Sequence, residues 1–464
     1  MLSMQNKHWV IATGMWVTWN SNLGSSLPSG SIDILRRELG VESVGQIVWL
    51  NSLYLLGYAF GPLVFGPLSE YIGRRPVILY TYIGYLSFTL ACALSNSYGL
   101  LLFFRFCTGV AGSAPNAVVG GLFADIYDNH QERGRAMLLF IFAAVLGPLF
   151  GPLISGFASM HSWQLSFWIG FGIAGIGLPL VLLLPETFAP VLREREQAAR
   201  ADMSFADRQV IAMSSGRVAE ELKIVFGRPA SMMIQEPVVL FTSLYLALIY
   251  SILYLFFQGY SIIFQRVYGL SPSLIGLGYL PIMAGALLGM LLVILYDNLV
   301  RSRQRSGESW AWKECFRRLP PACVGGLCVV GSLFYLGWTS TSGLHPAVPM
   351  MSGIGFGAGY FLIFVAMINY LTDAYKVFAA SANAAASTTR SIVAAFLPLA
   401  ASPLFTNLGV SWACTLLGFL ALVASAVPFV FLKYGQELRK RSPFCQKLAE
   451  DEAGHQVNSS ESQD

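Results

Sequence analysis

The sequence predicts an all-α membrane protein with about twelve transmembrane helices, arranged as two bundles of six. Of its 464 residues, 55% are hydrophobic and 12% are charged, whereas a soluble domain carries about 25% charged residues. The mean hydropathy is +0.59. The apolar residues come in blocks of about 20, the length that a helix needs to cross a hydrocarbon layer about 30 Å thick. Composition and block length together predict several membrane crossings.

The apolar blocks divide the chain into two sets of six spans. Spans 1 to 6 are predicted at residues 9–28, 45–66, 77–94, 100–121, 136–158 and 164–184. Spans 7 to 12 are predicted at residues 237–260, 274–296, 320–338, 346–370, 381–405 and 411–432. We therefore expect residues 1–184 to form an N-terminal bundle and residues 237–433 a C-terminal bundle. Residues 185–236 are expected to be a cytoplasmic linker, and residues 434–464 a cytoplasmic tail.

The distribution of basic residues predicts the orientation of the spans. The linker and the loops on its side carry Arg74, Arg75, Arg133, Arg135, Arg193, Arg195, Arg200, Arg208, Arg217, Lys223, Arg228, Arg301, Arg303, Arg305, Lys313, Arg317 and Arg318. The loops on the opposite side carry only Arg36, Arg37 and Arg266. By the positive-inside rule, the linker and both chain ends face the cytoplasm. An even number of spans independently places both ends on one side.

Two bundles joined by a central loop are typical of secondary transporters, which rock about a binding site near the bilayer midplane. A membrane enzyme is not expected, because all five histidines lie at termini or in loops and offer no acid–base cluster. The seven cysteines lack metal-ligand spacing. We therefore predict no catalytic residue, no metal, no cofactor and no nucleic-acid partner.

The segment 66–76 carries the most specific motif, Gly-Pro-Leu-Ser-Glu-Tyr-Ile-Gly-Arg-Arg-Pro. Gly66 and Gly73 allow a tight turn, Glu70 can pair with a cation or a helix amino terminus, and Arg74 and Arg75 can pair with carboxylates across the bundle. The segment resembles the loop between helices 2 and 3 of the major facilitator superfamily, G-x-L-a-D-r-x-G-r-k. We predict a gating latch here. The alternative is a basic turn that satisfies only the positive-inside rule.

Arg105 places a cation inside the apolar run of span 4. Such a charge is costly unless it faces the protein interior and finds a partner, which makes it a functional candidate. Its position is similar to that of the helix 4 arginine of the superfamily, a resemblance that implies a role in proton coupling. The alternative is that the side chain extends to the nearby membrane interface.

Span 5 is rich in glycine and proline at Gly147, Pro148, Gly151, Pro152 and Gly156. Small residues at these spacings let two helices approach closely, and each proline removes a backbone donor. A helix 5 of this kind resembles the antiporter signature of superfamily exporters, which implies efflux. Close packing without any role in transport direction is the alternative.

Three further stretches, residues 182–192, 243–257 and 434–435, resemble the fungal twelve-span drug:proton antiporters, and the resemblance covers nearly the whole chain. That family includes polyamine, azole and mycotoxin exporters. The chain departs from the family at Gln258, where many relatives have glutamate, and at Trp163-Gln164-Leu165, where they commonly read W-R-W. The first departure removes a candidate proton site, so proton coupling is implied by the resemblance alone. No carboxylate lies near the middle of a predicted span.

The resemblance implies that spans 1, 4, 7 and 10 line the central path. Their candidate cavity residues are Trp19, Asn22, Asn116, Tyr254, Gln258, Tyr360 and Asn369. Aromatic rings with scattered amides suit amphipathic organic molecules. A polycation would need carboxylates in the path, so we rank neutral or acidic compounds above polyamines.

A second intramembrane cation, Arg390, lies in predicted span 11. We hypothesise that it or its helix end engages the latch at Glu70. Extension to the inner membrane interface is the competing account.

These features predict a transporter of small amphipathic organic compounds that works as a monomer, and the resemblance implies efflux, proton coupling and a location in the plasma membrane. The alternatives are an uptake carrier, a nutrient sensor with a transporter fold, and a polyamine exporter. In each case the chain would contact a small-molecule substrate and the lipid bilayer, and protons are the expected coupling ion.

Overall fold

The computed structural model describes residues 4–41, 43–127, 130–193, 227–440 and 442–446. Within these residues every regular element is a helix. Most of the predicted linker, residues 194–226, and most of the predicted tail lie outside the described residues. The all-α prediction is confirmed.

The first bundle contains spans 1 to 6. They are Met4–Ser26, Val44–Tyr71, Arg74–Leu94, the consecutive helices Tyr98–Gly112 and Ala114–Ile126, His130–Ala158, and Trp163–Leu182. A 3-10 turn, Leu27–Gly30, and a short helix, Ile32–Glu38, join spans 1 and 2.

The second bundle contains spans 7 to 12. Spans 7 to 10 are Pro237–Tyr268, the consecutive helices Pro272–Leu277 and Leu280–Arg305, Pro320–Thr339, and the consecutive helices Ala347–Met350 and Ser352–Tyr375. Span 11 comprises Ala379–Phe396, the 3-10 turn Leu397–Ala400 and the first part of Ala401–Ala424, as far as a kink at Gly409. Span 12 comprises the remainder of that helix and Ala426–Lys440.

In the part of the chain that the structure describes, ten helical stretches are long and apolar enough to cross a membrane. One of them, Ala379–Lys440, contains both span 11 and span 12. Span 1 is absent from the ten because its interior is polar, with Asn20, Ser21 and Asn22 buried against neighbouring helices. The twelve crossings and the two bundles follow from these helices.

Several predicted boundaries were wrong. Span 7 continues two turns beyond residue 260 to Tyr268, where Gly269 (φ 65°) ends the helix in the left-handed conformation. Span 11 does not stop at residue 405, because the turn comes at Gly409 (φ 72°). Hydropathy detects the hydrocarbon-embedded part of a helix, whereas the helix itself ends where a capping residue or turn allows it.

The two ends of the helix bundles differ in whether they contain the chain termini. The termini face contains the start of span 1 and the end of span 12, together with the turns between spans 2 and 3 and between spans 8 and 9. The far face contains the turns between spans 1 and 2 and between spans 7 and 8. One large buried cluster contains residues of both bundles, so the bundles pack against each other through the centre.

Candidate functional site

Arg105 is fully buried in span 4, with 1% of its surface exposed. Its guanidinium donates to three backbone carbonyl oxygens, those of Leu50 at 2.9 Å, Gly24 at 2.7 Å and Ser25 at 2.9 Å. The Tyr54 ring lies 4.6 Å from the guanidinium carbon. The side chain therefore points into the first bundle and does not extend to the membrane interface.

The local sequence explains why two of these carbonyl groups can accept. Span 1 ends at Ser26 and gives way to a 3-10 turn that contains Pro28. In a continuing α-helix the N–H of residue 28 would bond to the Gly24 carbonyl, but proline has no N–H. Arg105 supplies the missing donor to Gly24, and a second one to Ser25. The arginine thus completes the broken end of span 1.

Ser25 connects Arg105 to the second bundle. Its carbonyl accepts from Arg105, and its hydroxyl lies 2.5 Å from the Tyr254 hydroxyl of span 7. Tyr250, one turn earlier in span 7, donates from its hydroxyl to that of Tyr254 at 3.2 Å. A continuous polar connection therefore runs from span 4 through span 1 to span 7.

Tyr250 and Tyr254 belong to a set of packed aromatic side chains at the bundle interface, which we name the aromatic cage. Its members are Tyr250, Tyr254, Phe257, Tyr360, Phe364 and Arg390. Tyr360 stacks on Phe364 with ring centroids 4.5 Å apart. All five rings are buried.

Arg390 closes the cage from span 11. Its guanidinium carbon lies 4.9 Å from the centre of the Tyr250 ring and 5.3 Å from that of Phe364. One Nη donates to Ser387 at 3.3 Å, while the Nε is buried without a hydrogen-bond partner. The hypothesised contact with Glu70 is not formed in this structure, where Arg74 is the ion-pair partner of Glu70. The guanidinium therefore lies against the aromatic rings of spans 7 and 10.

The other predicted cavity residues lie in several places. Trp19 packs against Phe150 inside the first bundle, with ring centroids 5.4 Å apart. Asn22 donates to the Thr18 carbonyl of its own helix at 2.9 Å. Asn369 is more than two turns from Tyr360 toward the termini face and takes no part in the cage. Of the predicted cavity residues, the cage thus contains Tyr254 and Tyr360.

Asn116 and Gln258 lie at opposite ends of the interface between the two bundles. Asn116 donates to the Ser387 hydroxyl at 2.6 Å, which joins span 4 to span 11 on the termini side of the cage. Gln258 lines a cavity of about 340 Å³ on the far side of the cage. The predicted path is therefore divided into separate regions, with the aromatic cage between them.

The glycines and prolines of span 5 pack against span 1. A Cβ on Gly147 would lie 2.6 Å from the Trp19 carbonyl oxygen, and one on Gly151 would lie 2.7 Å from the Ser26 carbonyl carbon. Pro152 has no N–H, so the carbonyl of Pro148 lacks its usual helical donor. Ser26 donates its hydroxyl to that carbonyl at 2.6 Å. The small residues and the prolines thus have a packing role in this structure.

We expect Ser26→Ala to destabilise the protein, because the buried Pro148 carbonyl would lose its hydrogen-bond donor. The expected loss is about 1–3 kcal/mol, the range for an unsatisfied buried polar group. Thermal unfolding in detergent measures it. Pro152→Ala added to Ser26→Ala should recover part of the loss by restoring an N–H. Ser87→Ala, which removes an exposed hydroxyl bonded within its own helix, is the control.

Gly156 lies at the contact between the bundles on the far face. A Cβ on Gly156 would lie 2.6 Å from the Pro272 carbonyl oxygen, and one on Gly276 would lie 2.9 Å from the Pro152 carbonyl oxygen. Ser273 also donates to the Gly156 carbonyl at 3.2 Å. Span 5 and the start of span 8 therefore meet backbone to backbone, and only glycine permits this distance.

The predicted latch is held together by charges on the termini face. Gly73 has a φ of 104°, a conformation that favours glycine, and the following N–H groups of Arg74 and Arg75 donate to Glu186 at 3.0 and 3.2 Å. Glu186 therefore binds the positive amino terminus of span 3. Glu70 does not occupy this position. The sequence indicated Glu186 only as part of the family-like stretch 182–192.

The Arg74 side chain connects the latch to span 4. It lies 3.4 Å from Asp125 and 3.6 Å from Glu70, and it donates to the Ser69 hydroxyl at 2.6 Å. Gly66 lies inside the span 2 helix, and a Cβ there would meet only Ala117 at 3.9 Å. The prediction that Gly66 forms part of the tight turn was therefore wrong, because the turn begins after Tyr71.

The second bundle contains a corresponding ion pair. Arg317 and Arg318, just before span 9, lie 2.7 and 2.8 Å from Asp373 near the end of span 10. In the first bundle, Arg74 at the start of span 3 pairs with Asp125 near the end of span 4. In each half, an ion pair therefore joins the start of the third span to the end of the fourth span. The local sequences around the two ion pairs differ, so a residue-by-residue comparison of the halves does not detect this similarity.

We expect Asp125→Asn and Asp373→Asn each to lower the melting temperature by several degrees. Each change removes the carboxylate from a partly buried ion pair, and hydrogen bonds to charged groups contribute about 1.5–3 kcal/mol. The losses should add in the double variant, because the two sites share no partner. The control is Glu308→Gln, which breaks an exposed pair with Arg303 and should change stability little. If the melting temperature of the double variant were no lower than that of either single variant, the two ion pairs would not stabilise the protein independently, and the prediction would be contradicted.

The described helices form a multi-pass membrane protein built from two packed six-helix bundles. A sequence profile of the Major Facilitator Superfamily matches residues 15–398. The chain belongs to this superfamily. The resemblance noted for residues 66–76 is thereby confirmed at the level of the family.

Curated relatives in fungi cover nearly the whole chain. The efflux pump FUBT of Fusarium oxysporum is 35% identical over 439 residues, which are 92% of this chain and 72% of that protein. The ascochitine biosynthesis cluster MFS transporter of Didymella fabae is 33% identical over 457 residues, 96% of this chain and 86% of that protein. These relatives are transporters, which agrees with the prediction that the protein is not an enzyme.

A solved structure has the same fold. The xylose transporter XylE from E. coli, in a partially occluded inward open conformation, aligns with a TM-score of 0.66 over 92% of this chain and 99% of that chain. The sequence identity is 14%. This likeness establishes the architecture and carries no information about the substrate.

Proposed function

We propose that the protein exports small, neutral or acidic amphipathic organic compounds in exchange for protons. The observation that carries the proposal is the aromatic cage with Arg390 at the bundle interface. Stacked rings offer a surface for flat apolar groups, and a guanidinium with a buried, unpartnered Nε offers hydrogen bonds to an oxygen-rich group. Fungal relatives named as efflux pumps support the direction of transport.

Buried charge in the described residues favours such compounds over polyamines. The buried charged side chains are Arg74, Arg105, Glu186 and Glu236. Both carboxylates lie at the termini-face ends of spans: Glu186 binds the start of span 3, and Glu236 precedes span 7 and accepts from the Tyr375 hydroxyl at 2.8 Å. A polyamine entering the cage would meet Arg390 and no counter-charge.

The proposed transport cycle is alternating access between two bundles. In the present arrangement the Asn116–Ser387 hydrogen bond joins the bundles on the termini side of the cage, and Gly156 meets Pro272 on the far side. Rocking would open one side while the other stays closed.

The connection from Arg105 through Ser25 to Tyr254 would couple span 4 to the cage. Arg105 would serve proton coupling through its hydrogen bonds to the end of span 1. The termini face is the cytoplasmic side in this proposal, by the positive-inside rule, and a monomer in the plasma membrane is the working unit.

Accumulation of fluorescent dyes, azoles and fungal metabolites in a pump-deficient yeast tests the proposal. Expression of the wild type should lower accumulation of some panel members, and a protonophore should abolish the difference. Arg390→Gln should weaken export of carboxylic acids more than export of their methyl esters. Raised accumulation on expression would instead favour an uptake carrier, and unchanged accumulation across the panel would favour a sensor.

A further inference from the structure

The bundle interface contains a cavity of about 340 Å³ on the far side of the aromatic cage, which we name the far-face vestibule. Its wall comes from both bundles. The first bundle contributes Asp33 and Arg36, next to span 1, and Pro152 of span 5. The second contributes spans 7 and 8, including Gln258 and Arg266. The volume falls in the range of small-molecule sites, about 300–1,000 Å³.

The lining residues of span 7 show how deep the vestibule is and which of its ends is buried. Gln258, Ser261, Ile262, Gln265 and Arg266 recur every three or four residues along span 7, so they lie on one face of that helix. Exposure rises along this row, from 2% at Gln258 to exposed side chains at Gln265 and Arg266. Eight residues of helix correspond to a depth of about 12 Å.

The deep end of the vestibule has an unsatisfied amide. The Gln258 Oε1 is buried without a hydrogen-bond partner among the described residues. A buried amide oxygen without a partner is costly, so this position favours a ligand that supplies the missing hydrogen bond.

Among the described residues that line the vestibule, two side chains at the rim are basic and one is acidic. Arg36 and Arg266 lie there with one carboxylate, Asp33, which already accepts from Gln265 Nε2 at 2.9 Å. Because Asp33 belongs to the first bundle and Gln265 to the second, this bond joins the bundles across the rim. Between rim and deep end, the wall is apolar at Ile262, Ile275 and Tyr279.

We propose that the far-face vestibule is a second ligand site, which holds an elongated amphipathic organic acid before its release. A hydroxyl or N–H group of the acid bonds to Gln258, the apolar body lies along Ile262 and Ile275, and the carboxylate lies between Arg36 and Arg266. The Asp33–Gln265 bond closes the site. This inference rests on the proposed export function, which makes the far face the exit side.

The probe for a binding test is 6-hydroxy-2-naphthoic acid, a fluorescent molecule with its hydroxyl and carboxylate at opposite ends. Two analogues separate the ends: 2-naphthoic acid lacks the hydroxyl, and the methyl ester of the probe lacks the anion. Binding is measured by fluorescence on the purified protein in nanodiscs. The wild type should prefer the probe over either analogue by roughly fivefold, about the effect of one hydrogen bond or one partly screened charge pair.

Two variants should each remove one preference. In Gln258→Leu the preference for the hydroxyl should disappear, while the preference for the acid over the ester remains. In Arg266→Gln the preference for the acid should shrink, while that for the hydroxyl remains. Arg303→Gln, in the last turn of span 8 on the termini face, is the matched control and should leave both preferences intact. Thermal unfolding checks that each variant is folded.

The vestibule proposal is overturned if none of the three molecules binds, or if the hydroxyl preference survives in Gln258→Leu. Because binding is measured without transport, either result leaves the efflux assay in yeast unaffected. Conversely, failure of export in yeast with the expected binding pattern would contradict the proposed function and leave the site in place.

Discussion

Arg105→Ala is expected to reduce export at least tenfold. The guanidinium supplies three hydrogen bonds to backbone carbonyl groups of spans 1 and 2 at a depth where water cannot replace them. Without it, the end of span 1 loses the donor that compensates for Pro28, and Ser25 loses its fixed position beside Tyr254. An unsatisfied Gly24 carbonyl costs about 1–3 kcal/mol, whereas the Leu50 carbonyl lies inside the span 2 helix, where the backbone N–H of Tyr54 remains its donor. Efflux from pump-deficient yeast measures the effect at matched expression.

Arg105→Lys distinguishes charge from geometry. Lysine keeps the positive charge but cannot present the planar fork of donors, so it cannot reach the Leu50, Gly24 and Ser25 carbonyl groups together. We expect the lysine variant to be nearly as impaired as the alanine variant. Wild-type export by Arg105→Lys would show that charge alone suffices, and it would contradict the proposed link through Ser25. A cooperative melting transition, at whatever temperature it occurs, shows that each variant is folded and separates loss of transport from loss of the protein.

Gly156→Leu is the second change with a large expected effect. A leucine Cβ would overlap the Pro272 carbonyl, and because that atom is backbone it cannot move aside as a side chain would. The far-face ends of spans 5 and 8 would have to separate. We expect export to fall to a small fraction of the wild-type rate, because a transporter that cannot close one side cannot complete the cycle.

The separation itself can be measured by cross-linking. Asp33 and Gln265 are hydrogen-bonded across the rim at 2.9 Å, so cysteines at these positions should react with a short bifunctional thiol reagent in the closed protein. The yield should fall when Gly156→Leu is added. Gly175→Leu is the matched control, since a Cβ on Gly175 meets nothing within 4 Å. Equal yields and equal export in the two leucine variants would show that the close contact at Gly156 is dispensable.

The number and order of the spans could be predicted from sequence because hydrocarbon thickness sets a length that hydropathy detects directly. The ends of the helices could not be predicted in the same way. Span 7 runs on to Gly269 and span 11 to Gly409, where single glycines with positive φ decide the boundary. Such turns leave little trace in hydropathy.

The two buried arginines of the candidate site could be predicted from the sequence, but their partners could not. Arg105 and Arg390 could be recognised because a charge in an apolar run needs an interior partner. Their partners are carbonyl groups and aromatic rings from other spans, and no sequence spacing indicates which ring faces which arginine. Arg390 was therefore assigned to the latch by depth alone, whereas the structure places it in the cage.

Substrate-dependent proton movement in proteoliposomes tests the central claim most directly. The purified protein is reconstituted with a pH-sensitive dye in the lumen, and compounds whose accumulation it lowers in yeast are added under an imposed pH gradient. The account predicts that each exported compound moves against the direction of proton flow, and that Arg105→Ala abolishes both movements together. Compound transport that proceeds at the same rate with the gradient collapsed, and moves no protons, would contradict it.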